Sequence, residues 1–170
     1  MVKLLYHDIY SAVYSHNSDL KLNQSSTPNE IRNAIRWVMR DNPDIFWFAH
    51  QYHYDEASST IHFQHTFSAE RVKTIQQSIN DVIENDFCIE YVKNLSQKEQ
   101  VAYVYKWLVT YCTYNANSAY NQSIYSVFVR RNSVCTGYAK AAQYLFNLLG
   151  IESRLVFGRL HNDKEEGRHC

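Results

Sequence analysis

The run from Ser133 to Ile151 constrains this chain more than any other stretch of it. Ser133-Val134 reads as the end of an extended approach, Cys135 as the first turn of a helix, and Gly150 as the left-handed residue that ends it. Tyr138, Ala142, Leu145 and Leu149 recur at helical spacing. Gly137, Ala139, Ala141 and Ala142 add little bulk, so the helix is expected to lie close against a sheet. A thiol in that first turn meets the positive end of the helix dipole and backbone N–H groups with no partner inside the helix. Both favour a thiolate, and the same groups suit an oxyanion. Cys135 is therefore the candidate nucleophile, and the competing reading is a buried, inert thiol.

Downstream, Ile151 to Leu160 reads as a strand, His161 to Gly167 as a polar hairpin loop, and the residues after it as the start of a second strand. His169 stands on that second strand, 34 residues beyond Cys135. A cysteine and a histidine that far apart are brought together only by the fold.

Four blocks carry a family resemblance: Val134-Cys135-Thr136-Gly137-Tyr138-Ala139, Leu148-Leu149-Gly150-Ile151, Val156-Phe157-Gly158 and His169-Cys170. Together they resemble the transglutaminase-like superfamily. Tyr111-Cys112-Thr113-Tyr114 and Gln122-Ser123-Ile124-Tyr125 are similar to the lead-in of bacterial members, and Asp41 to Trp47 to the amino-terminal half of a Gram-positive subgroup. The resemblance implies an α+β fold, in which a nucleophile helix packs on an antiparallel sheet as a papain-like core, incomplete at its carboxy-terminal end. A mainly helical amino-terminal region with a β-hairpin precedes it. It also implies a catalytic pair, Cys135 and His169, and acyl transfer through a thioester on amide bonds of protein or peptide substrates, ending in hydrolysis, deamidation or crosslinking. Gln122 or Tyr125, close to the cysteine in the pattern, is read as a second oxyanion donor or substrate contact. No cofactor and no metal are expected.

Three departures from the family pattern stand out. Ser133 replaces a usual glycine, Cys170 follows the histidine where alanine or serine is common, and the aspartate that would orient the imidazole has no counterpart after His169. The chain is therefore read as a fragment of a longer protein. The runner-up is an inactive transglutaminase-like module that holds peptides or cell-wall components. A third reading has the unfinished sheet edge recruiting a second copy of the chain into a homo-oligomer.

Composition narrows the classes. Seventeen basic and 17 acidic residues cancel, so no electrostatic footprint for nucleic acid appears. At 170 residues and 45% hydrophobic content the chain has enough apolar material for a sizeable core. The apolar runs are too short to span a bilayer, and Met1 to Leu20 lacks the layout of a signal peptide. A fragment would have left any leader behind, so the compartment stays open. Cys88, Cys112, Cys135 and Cys170 show no Cys-x-x-Cys pair, and Cys88 and Cys112 fall in helical patterns as structural thiols. His50 with His53 and His62 with His65 resemble ligand pairs, but three-residue spacing on a strand turns the two rings to opposite faces. Fourteen tyrosines and three tryptophans would suit a sugar or peptide groove, yet cross-strand and core packing explains them more simply.

Ahead of the core, Thr27-Pro28-Asn29-Glu30 combines an N-cap, a first-turn proline and a capping-box glutamate, opening a helix that Pro43 ends. Residues 45–54 and 60–67 alternate as a hairpin. A long helix is expected from Ala69 to about Val92. Ser96 and Glu99 form a second capping box, starting a helix that carries Val101, Val104, Tyr105, Leu108 and Val109 on its apolar side. Leu20 to Thr27 reads as a flexible loop. Two regions follow, 1–95 and 96–170, read together as one compact unit.

Overall fold

The computed structural model describes residues 2–162 and 165–169, with side chains described for residues 4–158. Seven helices and seven strands alternate among the described residues in an α+β arrangement. The chain divides into two compact units, 1–73 and 74–170, with the boundary inside one helix.

In the first unit, α1 (Val2–Tyr14) packs on α2 (Pro28–Asp41), and a three-stranded antiparallel sheet has the order β1 (Asp19–Lys21), β3 (Thr60–His65), β2 (Phe48–Asp55). The start of α2 is where the sequence places it. The Thr27 hydroxyl accepts from the Glu30 N–H at 3.3 Å, and the Glu30 carboxylate accepts from the Thr27 N–H at 2.8 Å. Ile9, Val13, Ile31, Val38, Ile45 and Ile61 are sealed from solvent, and the Trp47 indole N–H donates to the Val13 carbonyl at 3.0 Å.

The expected loop from Leu20 is shorter than read, because Asp19–Lys21 pairs antiparallel with β3. A three-residue strand carries almost no periodicity of its own; its edge is supplied by residues some forty positions away. The His62 imidazole meets the Asp19 carboxylate at 2.5 Å across that pairing. The other histidines are also placed by the sheet. His53 stacks across the strands on His62, and His65 stacks on His16 at 4.0 Å between ring centroids. Burial, reinforced by His16, holds the His65 imidazole below its usual range despite a bond to the Asn17 carbonyl. His50 sits with φ 57° where the β2–β3 register shifts at a bulge.

The second unit holds most of α3 (Ala69–Asn85), then α4 (Ile89–Lys93), α5 (Gln97–Tyr111), β4 (Thr113–Tyr114), α6 (Ile124–Phe128), β5 (Asn132–Ser133) and α7 (Cys135–Leu148). A hairpin of β6 (Gly158–Asn162) and β7 (Glu165–His169) follows. The single helix expected from Ala69 to Val92 is interrupted after Asn85. The Asp86 and Phe87 N–H groups both donate to the Val82 carbonyl, and Cys88 turns left-handed at φ 56°. The interruption drives Phe87 into the interior, where it is fully buried against the edges of Tyr103 and Trp107. Helical periodicity runs smoothly through this point, so only the burial reveals the break.

On α5 the second capping box is present, with Ser96 N–H to the Glu99 carboxylate at 2.9 Å. Its apolar face is narrower than read: Val104 and Leu108 are buried, whereas Val101, Tyr105 and Val109 face solvent. The strand expected over 151–160 begins only at Gly158, and its hairpin partner runs back as far as Glu165. Among the described residues no helix is long and apolar enough to cross a membrane, and no group of three or more His, Cys, Asp or Glu side chains is placed to hold a metal ion.

Two stability predictions follow from this packing. Phe87→Ala is expected to cost about 3–5 kcal/mol, read as a lower urea midpoint; a loss within experimental error would show that the α3–α4 break does not depend on the ring. Burial raises the Asp44 carboxyl above its ordinary range. Its neutral form is therefore favoured in the fold, and stability is lost as pH rises from the unfolded value through the folded one. Asp44→Asn should melt at a higher temperature than the parent at pH 7, with the advantage shrinking toward pH 4; a pH-independent difference contradicts this sign.

Candidate functional site

Cys135 owes its position to a short extended segment held on both edges. Arg131 adopts a left-handed φ of 54°, and its carbonyl accepts the Thr113 N–H at 2.9 Å. Two residues on, the Ser133 carbonyl accepts the Asn115 N–H at 2.8 Å, completing a parallel pairing of β4 with β5. Val134 faces the other way, and its N–H donates to the Asn121 carbonyl at 3.1 Å. Residues 113–121 therefore flank the lead-in on both sides. Val134 is then the N-cap of α7, in an extended conformation, and Cys135 is the first helical residue.

The first internal bond of α7 runs from the Tyr138 N–H to the Val134 carbonyl at 3.1 Å. The N–H groups of Cys135, Thr136 and Gly137 precede it and have no carbonyl four residues back within the helix. Cys135 is half-buried as a residue. Gly150, with φ 72°, closes the helix in the left-handed conformation expected of it.

The small residues of α7 are used against α6 and the lead-in strand. A Cβ on Gly137 would stand 1.9 Å from Ser133 Oγ, 2.9 Å from the Asn121 carbonyl and 3.2 Å from Ser126 Oγ. Ser133, in place of the glycine usual in the family pattern, is fully buried and lies 2.7 Å from both the Asn121 carbonyl and Ser126 Oγ. Ser126 Oγ in turn lies 2.7 Å from the Ser123 carbonyl. Two hydroxyl protons thus serve three short contacts beneath the first turn of α7. All five residues of α6 are buried around this pair.

Tyr138 lies one turn beyond Cys135 and secures the same helix end from the side. Its hydroxyl donates to the Cys112 carbonyl, at the C-cap of α5. Burial, with the Cys112 bond adding to it, raises the phenol well above its ordinary range, and burial likewise pushes the Cys112 thiol up. Arg131 is held in its turn by Asp86 at 3.3 Å and by the face of Tyr111 at 4.4 Å, with Tyr111 stacked on Trp107 at 4.2 Å.

Of the other residues singled out from sequence, Gln122 is exposed just before the α6 N-cap, Ser123, and next to the Asn121 carbonyl that holds Val134. Tyr125 is buried within α6, with Tyr120 against its ring at 5.8 Å. Gln122 is thus brought within a few backbone steps of Cys135 with access to solvent, whereas Tyr125 faces the interior. His169 pairs through its backbone with Gly158 at the open end of the β6–β7 hairpin. Its imidazole and residues Asp163, Lys164 and Cys170 lie outside the described residues. Sequence reasoning missed the Tyr138–Cys112 tie and the Ser126–Ser133 pair. Neither leaves a local signal, since the first spans 26 residues and the second joins two serines on different elements, α6 and β5.

Residues 87–170 match the model of the transglutaminase-like superfamily core. Comparison with curated proteins returns no match.

The close approach at Gly137 is open to a direct test. Gly137→Ala should destabilise the chain by about 1–3 kcal/mol, because Ser133 Oγ and the Asn121 carbonyl must both give way. Adding Ser133→Gly removes the nearer obstacle. A double-mutant cycle in urea should therefore return a favourable coupling of at least about 0.5 kcal/mol; additive effects would mean the two residues do not meet.

Proposed function

Residues 87–170 belong to the transglutaminase-like superfamily, and on that premise we propose a cysteine enzyme that acts on amide bonds of proteins or peptides through a thioester. The observation that carries the reading is Cys135 itself: a half-buried cysteine that is the first residue of α7, at the positive end of the helix.

In the proposed reaction His169 takes the Cys135 proton and the sulfur attacks the substrate carbonyl. The Cys135 N–H supports the negative oxygen of the tetrahedral intermediate. Gln122, exposed beside the lead-in, is the better placed of the two candidate second donors. The imidazolium then protonates the departing amine or ammonia, and a thioester remains on Cys135. Water resolves it to a carboxylic acid, completing deamidation or proteolysis; a lysine amine resolves it to a crosslink.

The rigid mounting of Cys135 supports chemistry over a merely buried thiol. Three backbone hydrogen bonds position the lead-in, and a phenol–carbonyl bond braces the first turn. Such restraint holds a nucleophile in an attack geometry. Cys112 by contrast is buried with its thiol shifted upward, and Cys88, though exposed, opens a five-residue helix from a left-handed residue.

Two measurements test this. Iodoacetamide at mildly acidic pH should modify Cys135 before Cys88 and Cys112, as read by peptide mass mapping; faster reaction at either of the others overturns the assignment. A glutamine-donor peptide incubated with the protein should lose ammonia, gain an amine or be shortened, and Cys135→Ala should lower that rate about a thousandfold or more. If Cys135 resists labelling and the peptide returns unchanged, the inactive peptide-binding module takes the place of the enzyme.

A further inference from the structure

We infer that Tyr114 and Tyr120 form an aromatic subsite beside Cys135 that selects an acyl-donor peptide with an aromatic side chain next to the reacting residue. The inference rests on the proposed function for the location of the reacting atom, and extends it to the class of substrate.

The two tyrosines come from opposite sides of the segment that delivers the nucleophile. Tyr114 is the register partner of Ser133 in the β4–β5 pairing, two residues before Cys135. Tyr120 precedes Asn121, whose carbonyl holds the N-cap residue Val134 from the other edge. The lead-in therefore runs between them. Both are exposed, at 63% for Tyr114 and 47% for Tyr120, whereas Tyr111, Tyr125, Phe128 and Tyr138 are buried or half-buried.

Each exposed ring rests on an anchored one. Tyr114 lies nearly parallel to Tyr138, 20° between planes and 6.5 Å between centroids, and Tyr138 is pinned through its hydroxyl to the Cys112 carbonyl. Tyr138 is also three residues beyond Cys135, so the two occupy the same side of the helix, roughly 5–6 Å apart at Cβ. Tyr120 meets buried Tyr125 at 5.8 Å and 61°, and its backbone is held in a left-handed turn at φ 59°. A ring mounted on a fixed second ring loses little further freedom when a ligand covers it, which makes it an efficient contact.

The surrounding chemistry indicates what covers these rings. From Cys112 to Val129, and again from Asn132 to Ala139, the chain carries no Asp, Glu, Lys, Arg or His. Asn115, Asn117, Asn121 and Gln122 supply amide groups that suit a peptide backbone. Neither a phosphate nor an acidic segment finds a counter-charge on these two segments. An aromatic side chain on a neutral peptide matches both the rings and the amides.

Three probes test the inference on the intact chain: iodoacetamide, and two peptidyl chloromethyl ketones, acetyl-Phe-Gly and acetyl-Ala-Gly. In each, the thiolate sulfur forms a bond to the probe carbon as halide leaves, so the rate of Cys135 modification is read directly by mass mapping. Dividing each ketone rate by the iodoacetamide rate of the same variant removes changes in the thiol itself. The wild type should prefer the phenylalanyl probe over the alanyl one by about fivefold to tenfold. Tyr114→Ala should reduce that preference to about twofold or less, Tyr120→Ala should reduce it partly, and Tyr114→Phe should keep it, because the ring face and not the hydroxyl makes the contact.

Equal rates for the two ketones in the wild type overturn the subsite, as does a preference that survives both alanine variants. Absence of Cys135 modification by all three probes is a different result: it removes the functional reading on which the subsite depends.

Discussion

Everything about the site depends on the backbone clamp around residues 131–134. Carbonyls of Arg131 and Ser133 accept from one side, and the Val134 N–H donates to Asn121 on the other. A four-residue segment paired on a single edge would fray, since so few hydrogen bonds scarcely offset the entropy of ordering it. Paired on both edges, it delivers Cys135 to the head of α7 in one orientation. The same loop that supplies both edges carries Tyr114, Tyr120 and Gln122, so the structure that mounts Cys135 also furnishes its surroundings.

A second constraint follows from how tightly that mount is packed. Gly137 brings the backbone of α7 against Ser133, Ser126 and Asn121 with no room for a methyl group. Ser133 is the residue where the family pattern usually has glycine, and its hydroxyl occupies the space that two glycines would leave open. The serine in turn needs Ser126 and the Asn121 carbonyl, since a buried hydroxyl without a partner costs about 1–3 kcal/mol. One departure from the pattern is thus accommodated by a local hydrogen-bonded group.

Much of the site was legible in the sequence, and for local reasons. Cys135 at the helix start, Gly150 at its end and the small residues between them all express conformational preferences of a few neighbouring positions. The same holds for the boxes at Thr27 and Ser96. What was not legible involves partners far along the chain. Tyr138 gives no local sign that its hydroxyl reaches Cys112, and Tyr125 looks as available as Gln122 until burial separates them. The faces of α5 illustrate the same limit, because five apolar residues at helical spacing do not reveal that only Val104 and Leu108 are covered.

By itself the sequence determined where α2, α5 and α7 begin and where α7 ends, because capping hydrogen bonds and a left-handed glycine act within four residues and need nothing else. It also determined the family to which residues 87–170 belong, through side chains clustered around one cysteine. Tertiary structure alone decided that α3 breaks so that Phe87 can be buried, that Asp19–Lys21 joins a sheet, and that residues 113–121 embrace the lead-in to Cys135. The reason is physical: burial and strand pairing draw their free energy from surfaces brought together across tens of residues, and no window of sequence contains both partners.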